Sequence, residues 1–273
     1  MLRSLWSAAS GMYAQQLSLD NISNNISNIN TTGFKTQTTE FKSLLYQELK
    51  HTSNDYEGNP KPVGIQVGSG VRDASITTIF TQGAAQSTEQ PLDLLIQGKG
   101  FFAIDKMGTT GYTRNGHFAL SRIANGWQIA DSEGHAVLNT EGQNIVLSDD
   151  MDASKLSIDT FGNVNYNTED ENGILHTQKL GRIALYQFND PAGLTKSGDS
   201  LYFESPASGT PRLEATDNSL SKSTLKQGYL EASNVQAADE MVNMIVTQRA
   251  YQLNSKAITT SDTMLEIANG LKR

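Results

Sequence analysis

Residues 246–271 read VTQRAYQLNSKAITTSDTMLEIANGL and carry the clearest periodic pattern in this chain of 273 residues. Apolar and small residues recur there at alternating steps of four and three, which is the heptad seam of a coiled-coil helix. We predict a helix over roughly the last 40 residues, about 60 Å long, with Ser233 or Asn234 as its N-cap. The seam consists of Val246, Ala250, Leu253, Ala257, Thr260, Met264, Ile267 and Leu271.

Residues 5–29 repeat the same pattern more weakly. Five asparagines and two serines between positions 21 and 30 oppose a helix, because both residue types are poor helix formers. Such a helix forms only when a partner covers its apolar stripe, and Gly33 is its expected stop. The stripe consists of Leu5, Ala8, Met12, Gln15, Leu19, Ile22, Ile26 and Ile29.

The middle of the chain has a different character. All six prolines lie between positions 60 and 211, and turn pairs such as Asn115-Gly116 separate short apolar runs such as Phe101–Ile104. This spacing predicts an antiparallel β-domain, and therefore an α+β fold with helical ends. The expected domains are a terminal helical part (1–35 with 229–273), an extended or β connecting region (36–90 with 200–228) and a central β-domain (91–199).

Composition argues against several classes of function. The net charge of -8 disfavours nucleic acid as a partner, and the absence of cysteine excludes thiolate chemistry. The four histidines are scattered without metal-ligand spacing, and the acidic run at Asp149, Asp150 and Asp152 fits a solvated loop. We expect no enzyme, no catalytic residue, no metal, no cofactor and no small-molecule substrate.

An apolar stripe is more often the buried face of a bundle within one chain, and that alternative stays open. Two stripes at opposite ends of the chain, around a dissimilar middle, favour assembly of copies instead. The first ten residues lack the apolar run of a Sec signal peptide, so we expect no such leader.

Long, specific strings occur at both ends of the chain, and they are Ser23-Asn-Asn25, Asn28-Ile-Asn-Thr-Thr-Gly-Phe-Lys35, Gly228-Tyr-Leu-Glu-Ala-Ser-Asn-Val235 and Glu240-Met-Val-Asn-Met-Ile-Val-Thr-Gln-Arg-Ala-Tyr251. These strings resemble the flagellar rod and hook family. Central strings favour the distal-rod branch, with a proximal-rod or hook-type axial subunit as the alternative. These are Phe80-Thr-Gln-Gly83, Tyr112-Thr-Arg-Asn-Gly116 and Gly198-Asp-Ser-Leu-Tyr202.

The resemblance implies a hollow tube of helically arrayed copies that transmits torque. Helices over 1–32 and about 229–272 would form an inner coiled-coil layer, surrounded by the β-domains. Implied partners are further copies, neighbouring rod and hook proteins, ring or bushing proteins and the flagellar type III export apparatus. The implied location is the basal body in the cell envelope or periplasm. The expected assembly interface is Leu5, Met12, Leu19, Ile22, Ile26, Ile29, Val246, Ala250, Leu253, Ala257, Met264, Ile267 and Leu271.

Overall fold

Helices occupy both ends of the chain and strands fill its middle, so the predicted α+β class is confirmed. The computed structural model describes residues 2–50, 64–123, 126–148, 155–169 and 175–271. The chain divides into two units. Unit 1 contains residues 1–27, 37–78 and 236–273, and unit 2 contains residues 28–36 and 79–235.

The two helices of unit 1 are α1 (Leu2–Ser27) and α2 (Ala237–Gly270). Gln236 is the N-cap of α2, so the predicted cap at Ser233 or Asn234 was wrong. Asn234 instead binds other segments of unit 2, which leaves its side chain unavailable to the helix. Among the described residues, no helix combines the length and apolar content that crossing a bilayer requires.

Helix α1 ends at Ser27, earlier than the predicted stop near Gly33. The reason is that residues 28–36 belong to unit 2, where the Gly33 N–H donates to the Glu231 carbonyl at 2.8 Å. Gly33 has a φ of 70°, and a Cβ there would lie 2.9 Å from the Arg114 carbonyl oxygen. Glycine is therefore needed at this position for both its conformation and its close contact.

Unit 1 also contains two antiparallel ribbons, each of two strands. In the first, β1 pairs with β4 and has an irregularity between Glu40 and Phe41. In the second, β2 pairs with β3. The strands are β1 (Gln37–Ser43), β2 (Tyr46–Lys50), β3 (Ile65–Gly68) and β4 (Val71–Thr78).

The described strands of unit 2 are short and pair antiparallel. They are β5 (Ala85–Ser87), β6 (Leu94–Gln97), β7 (Phe101–Lys106), β8 (Thr109–Thr113), β9 (Ala119–Ile123), β10 (Gly126–Ala130), β11 (Ala136–Val137), β12 (Val146–Leu147), β13 (Leu156–Ile158), β14 (Asn163–Glu169), β15 (Leu175–Arg182), β16 (Leu185–Gln187), β17 (Thr195–Lys196), β18 (Leu201–Phe203), β19 (Arg212–Leu213), β20 (Thr224–Gln227) and β21 (Tyr229–Glu231).

A ten-stranded sheet dominates unit 2, with the order β12-β10-β11-β7-β8-β18-β17 and with β9, β16 and β19 attached to it. Strands β13, β14 and β15 form a separate sheet, while β20 pairs with β6 and β21 with β5. Alternate residues of β7 enter two apolar clusters: Phe102 and Ile104 enter one, and Phe101 and Ala103 the other. This alternation is what a strand buried on both faces produces.

Candidate functional site

The two helices of unit 1 run antiparallel along one another. The Ser4 hydroxyl lies 3.3 Å from the Ser261 hydroxyl near one end of the pair. Further along, a Cβ on Gly11 would lie 2.9 Å from the Asn254 side-chain nitrogen. At the other end the Glu240 side chain hydrogen-bonds to Asn25, and burial raises the pKa of this carboxyl group. The start of α1 therefore faces the end of α2.

The face of α2 that is buried or half-buried in the chain has mixed polarity. Glu240 and Thr247 are buried on it, although neither is apolar. Half-buried residues that lie on the same face include Met244, Asn254, Ile258, Ser261 and Leu265.

The predicted apolar seam of α2 lies one residue before this inner face. Because successive helical residues are offset by about 100°, the seam points away from the inner face. Leu253 is 69% exposed and Leu271 is 83% exposed. Val246, Ala257, Met264 and Ile267 are also exposed, whereas Ala250 is half-buried. Much of the strongest apolar pattern in the sequence is thus uncovered within a single chain.

The predicted stripe of α1 lies elsewhere. Ile22 is buried, and Leu5, Met12, Leu19 and Ile26 are half-buried within unit 1. Ile29 is half-buried but lies beyond the helix, in unit 2.

Two exposed aromatic residues of α1, Trp6 and Tyr13, lie outside the stripe predicted from the sequence. Trp6 is 75% exposed, and Tyr13 follows it after one heptad with a similar exposure. The heptad spacing was a usable signal, but the assignment of Leu5 and Met12 to the seam hid the residues immediately after them.

The asparagines that oppose helix formation in α1 have a tertiary role. Asn25 forms two hydrogen bonds with Gln37 of β1: its side-chain nitrogen donates to the carbonyl at 2.8 Å, and its oxygen accepts from the N–H at 3.0 Å. Asn21 donates to the same carbonyl at 2.9 Å and to the Thr39 hydroxyl at 3.1 Å. These bonds attach β1 to α1, and they explain polar residues on a buried helix face.

Unit 2 contains a buried ion cluster whose members come from distant parts of the chain. The Lys35 ammonium lies 2.6 Å from the Glu231 carboxylate, and Arg114 lies 3.4 Å from the other oxygen of that carboxylate. The Gly83 N–H also donates to Glu231 at 2.8 Å. Burial lowers the pKa of Lys35 and of Arg114, and the charge of Glu231 opposes this shift in both. One carboxylate therefore stabilises two buried cations.

Two of the described histidines pair with nearby aspartates. Within the described ranges, no group of three or more His, Asp or Glu side chains is placed to hold a metal ion. His117 lies 2.7 Å from Asp93, and His135 lies 3.1 Å from Asp131, so these two histidines each have a carboxylate partner. The acidic residues Asp149, Asp150 and Asp152 lie outside the described residues.

Comparison with known proteins gives matches along the whole chain. A family model for the flagella basal body rod protein matches residues 5–35, and one for the flagellar hook protein FlgE/F/G D1 domain matches residues 95–166. A third, for the flagellar basal body rod FlgEFG protein C-terminal region, matches residues 226–271.

Full-length relatives give the same result. The flagellar basal-body rod protein FlgG of Borreliella burgdorferi is 42% identical over 275 residues, which cover 100% of both chains. FlgG of Caulobacter vibrioides is 40% identical over 99% of this chain and 100% of its own length. FlgG of Bacillus subtilis is 41% identical over 100% of both chains.

Proposed function

We propose that this chain, which belongs to the flagellar basal-body rod family, polymerises through its terminal helices into the hollow drive shaft of the distal rod. The chain is a structural subunit and not an enzyme. The observation that carries the proposal is the apolar seam of α2, which is exposed over several heptads within the single chain.

Energetics favour covering this seam. Full burial of a side chain such as leucine or isoleucine contributes about 1.5–3 kcal/mol. Leu253, Ile267 and Leu271 are all more than half exposed and therefore retain much of that contribution. An uncovered stripe of this kind marks an interaction surface. The exposed Trp6 and Tyr13 of α1 add a second surface of large aromatic side chains.

The partner proposed for these surfaces is another copy of the chain. A contact between two different surfaces of identical subunits repeats from copy to copy, and it builds a helical polymer when the rotation between copies does not close into a ring. In this polymer the terminal helices form an inner coiled-coil layer and the β-domains lie outside it. Its ends would contact neighbouring rod and hook proteins, and its outer wall would face ring or bushing proteins.

The proposed location is the basal body, within the cell envelope. Export through the flagellar type III apparatus requires an unfolded chain, and the Asn- and Ser-rich α1 suits this route because its intrinsic helix stability is low. Torque would pass along the tube through the covered seams and the lateral contacts between subunits.

The test compares methionine oxidation in the dilute full-length chain and in the assembled form. Met241 and Met264 lie on exposed faces of α2, and Met107 is 96% exposed in the turn between β7 and β8. Assembly is followed by sedimentation and electron microscopy across concentration, with fragments of assembled tubes added as seeds. The expected result is tubes in which Met264 is protected from peroxide while Met107 still reacts.

Two results would count against the proposal. A compact monomer at all concentrations, seeded or not, would contradict polymerisation. Tubes in which Met264 oxidises as fast as in the monomer would show that the seam is not the interface. The full chain is used because removal of residues 1–35 and 229–273 would also delete Lys35 and Glu231 from the buried ion cluster of unit 2.

A further inference from the structure

Three segments of unit 2 lie next to the points where the chain passes from one unit to the other. Residues 28–36 end at Thr36, the long segment begins at Ile79, and it ends at Val235. Single chain segments outside helices and sheets bend easily, because each residue has two soft backbone dihedral angles. The hydrogen bonds that join these segments to one another are therefore important for a subunit under load.

The side chain of Asn234, near the end of the third segment, hydrogen-bonds to the other two segments, and every atom involved belongs to unit 2. Its oxygen accepts from the Thr36 N–H at 2.7 Å and from the Thr36 hydroxyl at 2.8 Å. Its nitrogen donates to the Ile79 carbonyl at 2.9 Å and to the Thr81 hydroxyl at 2.8 Å. The Ile79 N–H in turn donates to the Thr36 carbonyl at 2.9 Å.

Asparagine suits this position because its amide has an acceptor and two donors on one short, planar group. Aspartate would lose the donors and place a charge against the Ile79 carbonyl. Alanine would remove every bond. Neither aspartate nor alanine can therefore join Thr36, Ile79 and Thr81 in the same way.

The buried ion cluster joins the same three segments a second time. Lys35, next to Thr36, donates to the Thr81 carbonyl at 2.7 Å and to Glu231 at 2.6 Å. The Glu231 carbonyl accepts from the Gly33 N–H at 2.8 Å. The bonds of the ion cluster are buried, and the bonds of Asn234 lie at the ends of the segments. The three segments are therefore joined at two successive positions along their length.

We infer that Asn234 is a mechanical cross-link, here called the clasp, which makes the three segments at Thr36, Ile79 and Asn234 respond to load as one element. The inference rests on the proposed function, because it assigns the clasp a part in carrying torque. Within unit 2 the clasp cross-links the three segments, so a displacement of one segment is shared by the others.

The first experiment is amide hydrogen exchange on the full-length chain and on Asn234→Ala. Asn218→Ala, at an exposed loop position, is the matched control. In the native chain we expect the Thr36 and Ile79 amides to exchange with the same opening equilibrium, since they open together. In Asn234→Ala, protection of both falls by about tenfold or more, because several bonds are lost. The amides of β7 and the control variant are unchanged.

Either of two exchange results overturns the clasp. One is independent opening of Thr36 and Ile79 in the native chain. The other is a loss of protection at Thr36 alone in the variant, which would indicate a single local bond.

The second experiment separates a mechanical role from a purely structural one. Asn234→Ala retains the apolar seam and is expected to assemble, but into tubes with a shorter bending persistence length than those of the native chain or of Asn218→Ala. An unchanged persistence length, alongside altered exchange, refutes the mechanical role. If no chain assembles, the proposed function fails, while the exchange result still decides whether Asn234 couples the strands.

Discussion

Leu253→Asp tests the assembly surface most directly, because Leu253 combines a central place in the seam with 69% exposure in the single chain. Most of its apolar surface remains available for burial between subunits. Covering that part contributes about 1–2 kcal/mol, by proportion of the value for a fully buried leucine. An aspartate at the same place would also be buried without a partner, which costs several kcal/mol more.

The combined loss is about 4 kcal/mol or more for each contact, and each 1.4 kcal/mol corresponds to a factor of ten in the equilibrium. The concentration needed for assembly should therefore rise about a thousandfold. Folding of the monomer should change little, because surface substitutions cost within about 0.5 kcal/mol. The assay is the critical concentration from seeded sedimentation, together with the melting temperature of the dilute chain.

Gln248→Asp is the matched control, since it places the same charge at an exposed position of the same helix but on another face. It should assemble at a concentration close to that of the native chain. The reasoning is refuted if Leu253→Asp assembles as readily as Gln248→Asp. It is also refuted if Leu253→Asp unfolds the monomer, because the seam would then be an intramolecular contact.

Two further predictions concern unit 2. Glu231→Gln leaves the buried Lys35 and Arg114 without their carboxylate, and it should lower the free energy of unfolding in urea titrations by about 3–5 kcal/mol. Glu141→Gln, in an exposed turn, is the control and should leave the free energy of unfolding unchanged. Equal stability of the two variants would exclude the ion cluster as a support of the fold. Burial raises the pKa of Tyr202 from 10.0 to about 12. Its stabilising contribution is therefore complete below pH 10 and is lost as the pH rises towards 12, because the unfolded chain ionises first. Tyr202→Phe should therefore reduce the fall in the free energy of unfolding between pH 10 and pH 12 by about 2–3 kcal/mol, and Tyr13→Phe, at an exposed position, should leave that fall unchanged. An equal fall in Tyr202→Phe and in the native chain would contradict this prediction.

The β-rich middle was predictable from local signals. Glycine and proline mark the turns there, and strands such as β7 consist of short apolar runs between them. The scattered histidines favoured a protein that is not an enzyme, and membership of the rod family agrees with that prediction. Individual strand pairings were not predictable, because β20 pairs with β6 and β21 with β5 across about half of the chain.

The expected assembly residues were predictable from the sequence only in part. The period of α2 identified Leu253, Met264 and Ile267 as one face of a helix, and they lie on one exposed face. Periodicity could not say which face packs against α1, because both faces follow steps of three and four. Whether the exposed face binds another copy stays a prediction, as do the domain boundaries proposed from sequence.

The sequence by itself determined the helical ends, the β-rich middle and the family, since each depends on patterns that lie within short stretches of chain. Only the tertiary structure decided the end of α1, the use of Asn25 to hold β1, and the meeting of Lys35 with Glu231 and of Thr36 with Asn234. These residues are joined across nearly two hundred positions or across the boundary of a helix. A local pattern records which residue types are present, but only the folded chain determines which of them satisfy one another's buried charges and hydrogen bonds.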